Sequence, residues 1–178
     1  TAVSTETMLR LALVGSRTDV RRVLICAPVM PEFDRESGSR RFLHFIEMFQ
    51  KLGWEVTLLI QNALKGERYV SLLQQRGVAV FSGAPHFDYP EILLRAGQFD
   101  LVLTVFWEFG EYFNPRVRYT LPKARFAVDT IDLHFIRHAR DAFLTHPESG
   151  LDPAYGERLA RELNTYHASD AVITVSDK

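Results

Sequence analysis

Three segments of this 178-residue chain gather side chains that can do chemistry. The first is Asp129-Thr130-Ile131-Asp132-Leu133-His134-Phe135-Ile136-Arg137-His138. It sets two carboxylates, a hydroxyl and two imidazoles just beyond an apolar run. Such a set makes a hydrogen-bonding pocket with His134 or Asp132 at its mouth, and Asp129 deeper in its lining. A plainer role fits the same residues: Asp132 as the N-cap of a following helix, with His134 packed on its first turn. His134 and His138 stand four apart and share a helix face, which is the spacing of a zinc pair. No Glu adjoins the first His, no third ligand is evident, and Arg137 and Arg140 would repel a cation. Asp129 and Asp132 are three apart, so an Asp-x-Asp clamp is unsupported. No metal is expected.

The second segment is Glu36-Ser37-Gly38-Ser39-Arg40-Arg41. Ser37 or Ser39 can cap a helix, and the free N–H groups of a helix start can face an anion. Cations oppose the helix dipole at that end, so two arginines there suggest a bound phosphate or carboxylate. Ser37, Gly38, Ser39 and Arg40 are the candidate binders; a solvated loop with surface arginines is the bland alternative. The stretch is neither a GxGxxG fingerprint nor a P-loop, since no Gly-Lys-Ser or Gly-Lys-Thr occurs. The third segment runs from Phe106 to Phe113 and holds five aromatics in eight residues. With Trp107 and Glu108 it can line a sugar or lipid site, or it can simply pack the core. No Gly-x-Ser-x-Gly elbow is present, and Cys26 lies inside an apolar strand, where a thiol is inert.

These residues need a scaffold, and the apolar pattern supplies one. Val23–Ala27, Trp54–Ile60, Val78–Phe81, Leu101–Phe106, Arg125–Asp129 and Ala171–Val175 read as strands. Helical spacing follows at Phe42–Leu52, closed by Gly53, and at Tyr69–Arg76, closed by Gly77. Further helices are expected at Pro90–Ala96, Pro115–Leu121, Leu133–Leu144 and Ala154–His167. Strand and helix alternate about every 25 residues. The expected class is therefore α/β: a Rossmann-like, mostly parallel sheet of about six strands with helices on both faces. Chemistry in such sheets gathers at the carboxyl ends of the strands. That points to residues 28–41, 107–114 and 129–138.

Composition narrows the function classes. Hydrophobic residues are 47% and charged residues 24%, which argues for a globular chain. Lys and Arg number 21 against 22 Asp and Glu, a net charge of -1, so nucleic acid is not an expected partner. One cysteine excludes an internal disulfide and fits a reducing, cytoplasmic setting. No apolar run approaches the roughly 20 residues of a membrane span. Residues 1–21 read as a lead-in, with a short helix over Met8–Val14, and 22–178 as one domain. The first residue is Thr, and the chain stops just past a strand; the expectation is a piece of a longer protein.

Four stretches together resemble a known family. They are Pro31 through Arg41, then Leu52-Gly53-Trp54-Glu55-Val56-Thr57, then Gln74-Gln75-Arg76-Gly77-Val78-Ala79-Val80, and Asp129 through Phe135 with Arg137 and Arg140. With Ala168 through Ser176, their order and spacing resemble the N-terminal, acceptor-side domain of GT-B glycosyltransferases of the family 4-like group. The resemblance covers about residues 22–178. It implies a two-domain enzyme whose C-terminal half, outside this chain, binds the nucleotide sugar, so this piece alone would be inactive. It implies sugar transfer with retention, without metal or cofactor, to a glycan, a lipid-linked sugar or a small molecule. It places Ser37, Gly38, Ser39 and Arg40 near donor phosphates or acceptor, and gives His134 the catalytic position facing the donor sugar. The first loop departs from the family by being long and acidic and by lacking a Gly-Gly pair. Two other classes fit the residues. One is a stand-alone nucleotide- or anion-binding module; a phosphoacceptor receiver is disfavoured by Ala27-Pro28-Val29 where acidic residues belong. The other is an interaction domain whose Arg137, Arg140, Arg158 and Arg161 meet an anionic surface, including a peripheral membrane contact.

Overall fold

Six strands of the expected kind form one sheet. The computed structural model describes residues 19–35, 37–62, 66–83, 86–145 and 153–174. The helix expected at Met8–Val14 and the end of the last strand at Val175 lie outside them. The strands are β1 (Arg22–Val29), β2 (Glu55–Asn62), β3 (Ala79–Ser82), β4 (Leu101–Val105), β5 (Arg125–Asp129) and β6 (Ala171–Ile173). The helices are α1 (Ser37–Lys51), α2 (Glu67–Gln75), α3 (Pro90–Gly97), α4 (Trp107–Thr120), α5 (His134–Thr145) and α6 (Pro153–His167). The sheet order is β3-β2-β1-β4-β5-β6 and every neighbouring pair is parallel. This is a Rossmann-like fold, with the change of direction between β1 and β4.

The central strands are apolar on both faces because helices cover both. Val23, Ile25 and Ala27 join Phe42, Ile46 and Phe49 of α1 and Tyr69 and Leu73 of α2 in one core. Leu24, Cys26, Phe126 and Val128 join Leu93 and Leu94 of α3 and Phe113 and Val117 of α4 in the other. Burial in this second core pushes the Cys26 thiol well above its usual range. The i, i+4, i+7 spacing of Phe42, Ile46 and Phe49 is what turns α1 onto the sheet.

Helices α1 and α2 stop by the same device. Trp54 N–H donates to the Phe49 carbonyl and Gly53 N–H to that of Gln50; Val78 and Gly77 repeat this on Leu73 and Gln74. These are Schellman ends, and they require the left-handed backbone that Gly53 (φ +78°) and Gly77 (φ +80°) adopt.

One element differs from the sequence expectation. The fourth helix begins at Trp107, not Pro115, so Pro115 sits in its interior. Proline suggests a first turn, but here its ring lies on the exposed side of a helix already anchored by Trp107, Gly110 and Phe113. The strand before it ends at Val105 rather than Phe106. Helix α5 follows the expected span but has no buried residue, and its Phe143 and Leu144 are exposed. Among the described residues no helix is long and apolar enough to cross a membrane.

Candidate functional site

The carboxyl ends of β4 and β5 are shaped by two sharp backbone turns. Phe106, immediately after β4, has φ +69°, and Ile131, two residues past β5, has φ +52°. Non-glycine residues in such conformations cost about 1–3 kcal/mol each and persist only where surrounding structure holds them. Here the Phe106 N–H donates to the Asp129 carbonyl at 2.9 Å, and the Thr130 N–H to the Ile173 carbonyl at 3.0 Å. The turn at Phe106 starts α4 at once, so Trp107 and Glu108 stand at the sheet end. The turn through Ile131 starts α5 with His134. The two turns thus bring residues 27 apart in sequence into contact.

His134 is the centre of that contact. Its Nδ1 lies 3.2 Å from the Trp107 indole Nε1 and 3.3 Å from a Glu108 carboxylate oxygen. Its ring packs 5.4 Å from that of Phe106 and 6.4 Å from that of His138. Two groups therefore compete for one nitrogen. The Trp107 N–H is a donor only, and leaving a buried donor unpaired costs about 1–3 kcal/mol. Trp107 is 5% exposed. The Glu108 side chain is 48% exposed and can turn to water, so its pairing contributes about 0–1 kcal/mol. The Trp107 contact is the stronger claim.

The first turn of α5 is capped from a distance. The Phe135 N–H donates to Glu162 Oε2 at 2.9 Å, and the Tyr166 hydroxyl donates to Glu162 Oε1 at 2.7 Å. Glu162 is 1% exposed. Burial first, and then the Glu162 carboxylate, push the Tyr166 phenol far above its ordinary value. Asp132, which sequence suggested as the cap, pairs instead with Arg137 at 2.9 Å.

Asp129 lies on the α1 side of the sheet. Arg41 Nη2 reaches its Oδ1 at 2.8 Å; Asp129 is 2% exposed and the Arg41 side chain 25%. Burial raises the Asp129 carboxyl above its usual value, with Arg41 and then the Ile131 N–H pulling the other way. Thr130, the first residue past β5, is 1% exposed. Among the described residues, the Thr130 hydroxyl and Arg41 Nη1 are buried without a hydrogen-bond partner.

The five residues expected around Asp129–His134 and Trp107–Glu108 are thus gathered at one end of the sheet. Ser37, Gly38, Ser39 and Arg40 open α1 at the same end, with Ser37 and Arg40 exposed. Of the two arginines there, only Arg40 stays exposed toward an anion, because Arg41 turns inward to Asp129. Of the five clustered aromatics, Phe106 and Trp107 adjoin His134. Phe109, Tyr112 and Phe113 instead pack with Phe87 at 5.4, 5.6 and 5.8 Å, as core. Sequence reasoning set Arg41 toward a bound anion rather than Asp129, and missed Glu162 and Tyr166. The adjacent Arg40-Arg41 pair was the signal for Arg41; no local pattern marks a cap supplied 27 residues away.

A separate groove of about 410 Å³ runs between α4 and α6, lined by Gly110, Glu111, Asn114, Arg161 and Thr165 among others. Gly110, Glu111 and Asn114 come from the expected segment 107–114 and Arg161 from the expected anionic-surface set, whereas His134, Trp107, Glu108, Asp129, Asp132 and the start of α1 do not line it. Glu111 and Arg161 close its rim with paired contacts of 2.6 and 2.9 Å. Among the described residues no three His, Cys, Asp or Glu side chains are grouped to hold a metal ion. Compared with protein-family models, curated proteins and solved structures, the chain finds no match.

Proposed function

We propose that this chain is the acceptor-side domain of a glycosyltransferase that moves a sugar from a nucleotide-sugar donor to a glycan, lipid-linked or small-molecule acceptor. The observation that carries the reading is His134, pinned by Trp107 at the carboxyl end of the sheet, where α/β folds work on ligands. The family-4-like pattern of residues 129–137 supports it from sequence.

In this reading a second domain of the same protein binds the nucleotide, and the cleft between the two holds the reacting atoms. His134 meets the donor sugar from the acceptor side, hydrogen-bonding a hydroxyl or steadying charge that develops during transfer. Ser37, Gly38, Ser39 and the exposed Arg40 face donor phosphates or acceptor. Asp129 and Asp132 line the pocket, one held by Arg41 and the other by Arg137. No metal or cofactor is required. Outcome at the anomeric centre is retention, by analogy with the family.

The test is His134→Ala in a protein carrying both halves. Turnover is expected to fall about 10²-fold or more, the cost of removing one preorganised donor, with the fold intact by circular dichroism. Wild-type turnover in the folded variant would reject the role. A stand-alone nucleotide- or anion-binding module is the second reading. It is favoured by one observation, the exposed Arg40 in the first turn of α1.

A further inference from the structure

We infer that Trp107 sets the tautomer of His134, holding the neutral ring with its proton on Nε2, and that Glu108 captures the ring only when Nδ1 also gains a proton. Both contacts fall on one nitrogen, Nδ1. An indole N–H can only donate, so the 3.2 Å contact requires a lone pair on Nδ1. A carboxylate can only accept, so the 3.3 Å contact requires a proton there. Both cannot hold at once. In the neutral ring the buried indole wins, since it is shielded from water while Glu108 is not.

The consequence is chemical. A neutral His134 offers an N–H at Nε2, so it grips an oxygen lone pair: a hydroxyl, carbonyl or phosphate oxygen. It is not a general base at that nitrogen. Protonation of Nδ1 breaks the Trp107 contact and hands the imidazolium to Glu108. Trp107 and Glu108 are then opposed positioning residues rather than catalytic ones.

The charged surroundings are mostly paired elsewhere. On α5 and the turn before it, Asp132 is held by Arg137, with His138 one turn on. On α6, Glu162 accepts from Phe135 and Tyr166, and Arg161 lies 5.4 Å over the Trp107 ring while bound to Glu111. Toward α1, Asp129 is bound to Arg41. Among the described residues, Glu108 on α4 is the carboxylate in contact with the His134 ring.

The assignment rests on geometry; only the identity of the gripped oxygen rests on the sugar-transfer reading. The experiment uses the chain with Trp54→Phe, which leaves Trp107 as its one indole, and with nitrogen-15 in its imidazoles. Long-range proton–nitrogen spectra at pH 8 are read for His134, identified by its loss in His134→Gln. The expected pattern is an unprotonated Nδ1 and a protonated Nε2. Glu108→Gln should leave it unchanged, and Trp107→Phe should shift it toward the other tautomer. If Trp107→Phe fails to fold, the Trp107 indole proton decides. It should move upfield in His134→Gln. A protonated Nδ1 at pH 8, or an indole proton indifferent to His134, overturns the inference. No sugar or nucleotide is present, so the result stands apart from the turnover of His134→Ala.

Discussion

Arg41 and Asp129 form an unequal pair. The carboxylate is 2% exposed and the guanidinium side chain 25%, so removing either partner strands a different kind of charge. Arg41→Met leaves a buried, uncompensated carboxylate and is expected to cost about 3–5 kcal/mol. Asp129→Asn leaves a cation that can turn toward water and removes a carboxylate whose ionisation burial disfavours, so it should cost far less than Arg41→Met. Urea denaturation measures both, and equal losses would contradict the account. The pH dependence follows in sign. Burial raises the native value of Asp129, so folding takes up a proton between the unfolded value of about 3.9 and that raised value. Its contribution to stability is therefore greatest at low pH and declines as pH rises through the window. The Asn variant should lack that component.

Helix α4 is set by its closest approach. A Cβ added at Gly110 would lie 2.6 Å from Thr165 Cγ2 of α6 and 2.9 Å from Val128 Cγ2 of β5. Gly110→Ala must push α4 away from both, at an expected cost of about 1–3 kcal/mol in thermal denaturation. The same shift would loosen Trp107, one turn earlier, from His134. An unchanged melting temperature would mean that the helices do not meet this closely. The turn from α6 into β6 depends on Asp170. Its carboxylate accepts from the Phe126 N–H at 2.7 Å and pairs with Arg118 and Arg125 at 3.0 and 3.3 Å. The Phe126 N–H first, then Arg118 and Arg125, hold its carboxyl below the ordinary value. A lowered acid stabilises the fold above its unfolded value, and that stability is lost as pH falls through the native one. Asp170→Asn is thus expected to lose about 1.5 kcal/mol at pH 7 and to show a shallower acid transition. A pH profile parallel to that of the parent chain would refute it.

Across the whole molecule, the order β3-β2-β1-β4-β5-β6 puts the starts of α1, α4 and α5 at one end. If the nucleotide belongs to a second domain, nucleotide, sugar nucleotide or inorganic phosphate should barely raise the melting temperature of this chain. A ligand at 100 times its dissociation constant would add about 2.7 kcal/mol, so real binding would be visible. Strong stabilisation by nucleotide alone would favour the stand-alone module over the acceptor-side domain.

Much of this was legible in the residues because burial leaves a periodic record. Val23–Ala27 is apolar at every position since helices cover both faces of β1; Phe42, Ile46 and Phe49 recur because one side of α1 meets the sheet. Gly53 and Gly77 mark helix ends because their backbone is left-handed. Those patterns point to the candidate site, since a parallel sheet collects its loops at the carboxyl ends. They did not determine its wiring. Nothing local distinguishes Arg40, exposed, from Arg41, which reaches Asp129 88 positions on in the numbering. Nothing near His134 announces that Glu162 caps its helix or that Trp107 begins one despite Pro115. Hydrophobic periodicity is a property of a segment, whereas an ion pair or a remote cap is a property of the distance between segments, and only the packed sheet and helices decide that distance.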